Sequence, residues 1–232
     1  MRIALLFYGR IDFFREQYAK IFDVIGRENQ VDIFWSSDYV PQEEVAEFVE
    51  LYKPVKYVCE RIINSHTISK YSSNHKIHLR SSEYDEEKSP TFNYNLECYF
   101  INVMRVFMLL EEYIKETNKT YDLVICTRID LNCFSKIPTI IPEDNTIYIP
   151  FDSDYGNGLN NHFAMGSLEV IRKYCYLYKN LVYLLENKIT LAHPENITKA
   201  NIIYKNIMVR RFKLFYRIGL RKHDDPWAGH LK

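Results

Sequence analysis

Apolar positions along the chain form short continuous runs that alternate with longer stretches of helical spacing. Residues 3–8 (IALLFY) are continuously apolar, which predicts a buried strand that ends at Gly9. Apolar residues within 13–25 recur at helical spacing and Gly26 follows them, so this stretch predicts a helix with a glycine cap. Residues 31–35 (VDIFW) predict a second strand.

The same alternation continues through the middle of the chain. Residues 41–52 begin with proline and early glutamates and predict a short helix, and residues 55–58 predict a third strand. Residues 94–117 carry the longest apolar stripe and predict a helix that leads into a strand at 121–127. A further strand is predicted at 146–150 (TIYIP). This order predicts an α/β fold with a mostly parallel central sheet flanked by helices.

Two segments depart from this pattern, but no linker divides residues 1–232, which predicts a single domain. Residues 61–93 are polar and almost aperiodic, and an insertion of this size is usually a functional lid or disordered. Its histidines lack the spacing and the partners of a metal site. From about residue 207 the chain is basic, and this tail could contact a membrane or form an edge strand.

The composition is that of a globular protein, and its acidic and basic residues balance. The 232 residues are 47% hydrophobic and 26% charged, and 30 basic residues balance 30 acidic ones, so no net field favours nucleic acid. Five cysteines without a CxxC pair predict neither a disulfide framework nor a zinc knuckle. The amino-terminal apolar run is too short for a signal peptide, and no window offers about 18 uncharged apolar residues. We therefore expect a cytoplasmic protein without a transmembrane segment.

The clearest chemical signal is the segment YDLVICTRIDL at residues 121–131. Arg128 and Asp130 follow a buried apolar run and, as alternate residues of an extended segment, point to the same side. Open α/β sheets bind ligands at the carboxyl ends of their strands. A carboxylate there can hold a divalent cation, and a guanidinium can hold a phosphate. The alternative is a surface ion pair of little energetic weight.

Two further loops contain groups that could serve a ligand. Asp152 and Asp154 form a D-x-D pair that can hold Mg²⁺ or Mn²⁺; alternatively, the pair belongs to an ordinary turn. Asn160, Asn161 and His162 could hydrogen-bond sugar hydroxyls; alternatively, they belong to a glycine-rich connection. No dinucleotide fingerprint, P-loop or nucleophile elbow is present in the sequence.

In order along the chain, the stretches MRIALLFYGRI, YDLVICTRIDL, NGLNNHFAMGS and HPEN resemble a known family. They resemble the nucleotide-sugar-dependent glycosyltransferases of the GT-A fold, particularly those of lipopolysaccharide and capsule-type glycan synthesis and their viral relatives. The resemblance covers about residues 1–205. It implies a GT-A-like fold in which the first strand and its loop receive the nucleotide base. It also implies that a T-R-x-D motif, which corresponds here to residues 127–130, contacts the metal and the sugar diphosphate.

The resemblance also implies roles for individual residues. The donor-binding residues would be Tyr8, Gly9, Arg10, Thr127, Arg128 and Asp130. The metal ligand for Mn²⁺ or Mg²⁺ would be Asp130. The acceptor- or sugar-binding residues would be Asn160, Asn161 and His162. Asn161 replaces the aspartate of the related N-D-Q-F-A-x-G-S stretch, and an amide cannot act as a base. The leading candidates for the catalytic base are therefore Asp154 and Asp152, with His162 as a further alternative.

We accordingly expect a metal-assisted glycosyltransferase of polysaccharide biosynthesis, which moves a sugar from a nucleotide-diphosphate donor to a hydroxyl of a glycan. Two alternatives stay open, a non-catalytic relative that binds a nucleotide-sugar or glycan, and a protein-interaction module. The segment at residues 193–195 (HPE) matches a recurrent helix start of the family and is interpreted as structural.

Overall fold

The computed structural model describes residues 1–9, 11, 13–38, 40–62, 89–151, 153–154, 156–190 and 193–218. Two predicted site residues, Arg10 and Asp152, lie outside the described residues, as does most of the polar insertion. The described strands are β1 Arg2–Tyr8, β2 Gln30–Ser37, β3 Lys56–Cys59, β4 Leu123–Arg128, β5 Leu131–Cys133, β6 Thr146–Pro150, β7 Phe163–Gly166, β8 Met208–Phe212 and β9 Tyr216–Ile218. The described helices are α1 Phe14–Ile25, α2 Gln42–Tyr52, α3 Ser89–Thr117, α4 Leu168–Cys175, α5 Leu177–Glu186 and α6 Pro194–Tyr204.

Seven of the described strands form the central sheet, in the order β3-β2-β1-β4-β7-β6-β8. Strand β1 is parallel to both β2 and β4, and β2 is parallel to β3. Strand β7 is antiparallel to β4 and to β6, whereas β6 and β8 are parallel. Strands β5 and β9 form a separate antiparallel ribbon. The protein is therefore a single α/β domain with a mostly parallel central sheet flanked by helices, as the sequence predicts.

The central strands are buried on both faces because alternate side chains enter two different cores. In β1, Ile3, Leu5 and Phe7 pack into the core that contains α1 and α2. Ala4 and Leu6 pack into the opposite core, which contains residues of α3 and α4. This two-sided burial explains why β1 is a continuous apolar run in the sequence rather than an alternating one.

Several element boundaries test the sequence predictions. Helix α1 ends at Gly26, whose N–H donates to Phe22 O at 3.0 Å, so the predicted glycine cap is confirmed. Helix α3 begins at Ser89, earlier than the predicted residue 94. The basic tail contributes the edge strand β8, which confirms the edge-strand interpretation for residues 208–212. Among the described residues, no helix combines the length and the apolarity needed to cross a membrane.

The aromatic cluster around Phe48 should carry a large share of the folding free energy. Phe48 is fully buried, and its ring centroid lies 4.3 Å from that of Trp35 and 4.5 Å from that of Tyr52. Because Phe48→Ala leaves a cavity among these rings, it should lower the free energy of unfolding by about 3–5 kcal/mol in a urea titration. The control Phe215→Ala, at a side chain that is 63% exposed, should cost far less. Equal losses in the two variants would contradict this assignment.

Candidate functional site

One edge of the central sheet gathers most of the predicted site residues. The parallel strands β1, β4 and β6 end at this edge, and the antiparallel strand β7 begins there. Thr127 in β4 is paired with Phe163 at the start of β7, and Arg128 N donates to His162 O at 3.0 Å. The loop at residues 160–162 therefore lies directly beside the T-R-x-D segment, although more than thirty residues separate the two.

Arg128 and Asp130 form a bidentate pair at the end of β4. Arg128 Nε lies 2.8 Å from Asp130 Oδ1, and Arg128 Nη2 lies 2.6 Å from Asp130 Oδ2. The side chain of Asp130 is 9% exposed, whereas that of Arg128 is 31% exposed. Burial disfavours the charged guanidinium, but the hydrogen bonds and charge of Asp130 outweigh burial, so the pKa of Arg128 is raised. The site therefore holds a permanent cation in a fixed orientation.

Tyrosine hydroxyls fix the backbone of the neighbouring loop. The hydroxyls of Tyr8 and Tyr99 each donate to Asn161 O at 2.6 Å, and that of Tyr174 lies 3.5 Å from the same atom. Burial raises the pKa of all three hydroxyls, so they stay protonated and can donate. The Asn161 side-chain oxygen, in contrast, is buried and has no donor among the described residues. The loop is thus held by its main chain, while one amide oxygen is left unsatisfied.

Asp154 is engaged by the protein itself. Its Oδ1 accepts from Asn160 N at 2.7 Å, and its two oxygens accept from Arg211 at 2.9 and 3.0 Å. Arg211, which lies in β8, also donates to Pro150 O at the end of β6, at 2.6 Å. A carboxylate with three such donors positions the loop, and this engagement disfavours Asp154 as a free base. The companion residue Asp152 lies outside the described residues.

His162 is held as a neutral imidazole. Its Nδ1 lies 3.2 Å from the hydroxyl of Tyr216, which also accepts from Asn160 Nδ2 at 2.6 Å. His162 N donates to Asn160 Oδ1 at 2.8 Å. Burial, together with the nearby charge of Arg128, lowers the pKa of His162 to about 4. At neutral pH this imidazole can exchange hydrogen bonds with a ligand, but it is a weak base.

Much of this cluster is predictable from the sequence, and part of it is not. The structure brings together the predicted residues Tyr8, Thr127, Arg128, Asp130, Asp154, Asn160, Asn161 and His162. Gly9 follows β1 with a φ of 89°, which suits the predicted turn. The site also contains four residues that the sequence does not indicate, Tyr99, Tyr174, Arg211 and Tyr216. Tyr99 and Tyr174 lie on helices α3 and α4, and Arg211 and Tyr216 lie in the basic tail.

The described residues do not form a complete metal site. Both oxygens of Asp130, the predicted metal ligand, already accept hydrogen bonds from Arg128. No group of three histidine, cysteine or acidic side chains with metal-binding geometry occurs in the described part of the chain. A divalent cation would need Arg128 to release Asp130 and would need ligands from elsewhere.

Comparison with known proteins places the chain in a family. Residues 9–226 match the family described as "Domain of unknown function (DUF7796)". The chain belongs to that family. The match runs through the candidate site from Gly9 to the ribbon strand β9, and Tyr8 immediately precedes it. A search of curated proteins found no match.

The lowered pKa of His162 predicts a specific loss of stability in acid. The unfolded chain takes up a proton on this histidine near pH 6.5, whereas the folded protein does so only near pH 4. The stabilisation is complete above pH 6.5 and is lost as the pH falls through 4, because the unfolded state binds the proton first. At about 1.4 kcal/mol per pH unit, the loss amounts to about 3 kcal/mol.

Urea titrations between pH 7 and pH 4 can isolate this contribution. His162→Gln should be less dependent on pH than the wild-type protein by about the same 3 kcal/mol. Subtracting the free energy of unfolding of the variant from that of the wild type at each pH removes the contribution of the carboxyl groups, because these titrate in both proteins. Parallel stability curves for the two proteins would show that His162 is not held neutral.

Proposed function

We propose that this protein is a GT-A-like glycosyltransferase that moves a sugar from a nucleotide-diphosphate donor to a hydroxyl of a glycan acceptor. The observation that carries the proposal is Arg128, a cation fixed by Asp130 at the carboxyl end of a central strand. This is the position at which open α/β sheets bind ligands. The resemblance of residues 127–130 to the T-R-x-D motif gives the same assignment independently of the geometry.

Arg128 is suited to a diphosphate because only part of its guanidinium is committed. Nε and Nη2 donate to Asp130, and Nη1 has no hydrogen-bond partner among the described residues. A guanidinium presents five N–H donors in a planar fork, so several remain for phosphate oxygens. The 31% exposure of the side chain leaves a ligand access to it. Asp130 fixes the plane of the guanidinium, and this pre-organisation reduces the cost of binding.

The chemical demand of the reaction matches that arrangement. In sugar transfer, the bond from the anomeric carbon to the phosphate oxygen breaks while an acceptor oxygen bonds to the same carbon. Negative charge accumulates on the departing diphosphate, and a fixed cation stabilises the transition state most when it needs no reorganisation. Arg128 would supply that charge. Assistance by Mn²⁺ or Mg²⁺ stays a prediction.

The loop at residues 160–162 is the part of the site best suited to sugar hydroxyls. Tyr8 and Tyr99 fix its backbone, and the buried Asn161 side-chain oxygen has no donor among the described residues. A buried acceptor without a donor costs about 1–3 kcal/mol, which a ligand hydroxyl could recover. The neutral His162 adds a hydrogen-bonding group that does not repel the cation of Arg128.

A second candidate function is binding of a nucleotide-sugar without catalysis. Asn161 favours it, because the related proteins carry an aspartate at that position and an amide cannot accept the acceptor's proton. This alternative predicts the same donor binding and no turnover. Any base that supports transfer must therefore come from another part of the chain.

Donor binding can be tested with a panel of nucleotides. UDP, GDP and their sugars should raise the thermal unfolding temperature, and parallel series with Mn²⁺, Mg²⁺ and EDTA would show whether a cation contributes. Arg128→Ala and Asp130→Asn should weaken binding of the stabilising nucleotide about 10- to 100-fold, since charged hydrogen bonds contribute about 1.5–3 kcal/mol.

Arg27→Ala and Asp23→Asn provide matched controls. These residues form another Arg–Asp pair, with a contact of 2.6 Å, on the exposed surface of α1 and the turn after it. They should leave nucleotide binding unchanged. The absence of a shift with every nucleotide, or equal binding by the site variants and the controls, would refute the proposal. Binding without release of UDP or GDP from any donor sugar would favour the non-catalytic alternative.

A further inference from the structure

The ribbon of β5 and β9 carries two exposed phenylalanines opposite each other. The ribbon pairs Cys133 with Tyr216, and Phe134 N continues this register by donating to Phe215 O at 2.7 Å. Opposite residues of an antiparallel pair lie on the same face of the ribbon. Phe134 is 61% exposed and Phe215 is 63% exposed. The two side chains therefore form one apolar patch in contact with solvent.

The last described segment of the chain alternates between this patch and the interior. Lys213, Phe215 and Arg217 are exposed, whereas Leu214 is buried and Tyr216 is half-buried. The hydroxyl of Tyr216 contacts the candidate site. Alternate residues of an extended segment face opposite sides, so one side of this segment supports the site and the other faces solvent.

A lysine of α1 borders the patch. Lys20 Nζ lies 5.7 Å from the centroid of the Phe134 ring, within the range of a cation–π interaction. The same ammonium donates to Asn132 Oδ1 at 3.3 Å, and Asn132 lies two residues before Phe134 in the ribbon. The positive charge of α1 is thus held beside the apolar patch.

Further cations flank the patch along both strands. Lys136 is exposed two residues after Phe134, and Lys213 is exposed two residues before Phe215. Neither lysine forms an ion pair with a carboxylate of the described residues. Residues 131–137 and 213–218 contain no acidic side chain. This surface is termed the ribbon face, and it comprises Phe134, Phe215, Lys20, Lys136, Lys213 and Arg217.

The apolar area of the ribbon face is small for a protein interface. A fully buried phenylalanine removes about 150–250 Å² from water, and the exposed fractions of Phe134 and Phe215 leave roughly 200–300 Å² between them. A stable protein interface needs about 800 Å² on each partner. A lipid headgroup region accepts a few apolar side chains, and its anionic phosphates attract lysine and arginine. The combination of two rings and four cations therefore suits a membrane surface better than a protein.

We propose that the ribbon face docks this protein on an anionic membrane surface. Phe134 and Phe215 enter the boundary between headgroups and acyl chains, while the surrounding cations contact lipid phosphates. Because the acidic and basic residues of the whole chain balance, the attraction is local to this face and is screened by salt. Docking would place the candidate site, on the other side of Tyr216, close to the membrane. This inference does not depend on the glycosyltransferase function proposed above.

Cosedimentation of the full chain with lipid vesicles provides the test. The protein should bind vesicles of phosphatidylcholine and phosphatidylglycerol in equal parts and should bind phosphatidylcholine alone far more weakly. Lys136→Gln combined with Lys213→Gln should weaken binding about 25-fold, since each lysine near an anionic surface contributes about 1 kcal/mol, or about fivefold. Phe134→Ser combined with Phe215→Ser should weaken it at least about tenfold.

Matched controls use exposed side chains elsewhere on the molecule. Tyr183 and Tyr204 are 48% and 47% exposed, and their ring centroids lie 5.2 Å apart. Replacing both by serine, or the exposed Lys115 and Lys188 by glutamine, should leave vesicle binding unchanged. The substituted side chains of the ribbon face are exposed, so the thermal unfolding temperature should change little. The lysine pair preserves the test if the phenylalanine pair does not fold.

Insertion itself can be measured by fluorescence. In Phe134→Trp, acyl chains brominated near the headgroup should quench the tryptophan emission beyond the quenching seen in the wild type, whose two tryptophans provide the background. Tyr183→Trp is the control and should show no such excess. Equal quenching in Phe134→Trp and the wild type would show that the ribbon face does not enter the membrane and would overturn the proposal.

The remaining outcomes also decide the question. Absence of vesicle binding, equal binding to anionic and neutral vesicles, or equal losses in the ribbon-face variants and the controls would overturn the proposal. If the wild type instead forms a dimer that the phenylalanine pair abolishes, and binds no vesicles, the ribbon face is a protein interface and the assignment to a membrane is wrong.

Discussion

The antiparallel position of β7 between β4 and β6 is the constraint on which the candidate site depends. Because β7 runs opposite to its neighbours, its amino end lies at the edge where the parallel strands end. A parallel β7 would place residues 160–162 at the other edge of the sheet, far from Arg128. Two hydrogen bonds hold the loop beside the end of β4. Arg128 N donates to His162 O, and Thr127 Oγ1 donates to the same oxygen at 3.2 Å.

Satisfaction of buried polar groups then determines the shape of the loop. A buried carbonyl without a donor is costly, so the fold supplies tyrosine hydroxyls to Asn161 O. A guanidinium pairs with the more exposed carboxylate of Asp154. These donors come from β1, α3 and β8, which are distant in sequence. Several elements that are distant in sequence therefore hold the loop in one conformation, as a pre-organised site requires. Asn161 Oδ1 is an exception, because it is buried and has no donor among the described residues.

The sequence predicts the local parts of this architecture and not the long-range ones. The apolar run at residues 3–8 and the cap at Gly26 are visible because burial and chain reversal leave signals within a few residues. The orientation of β7 depends on pairing with β4, which no local pattern encodes. Likewise, Arg211 looks like one of several tail cations until β8 pairs with β6 and brings it to Asp154. For these reasons the T-R-x-D segment is recognisable from sequence, whereas the residues that hold its surroundings are not.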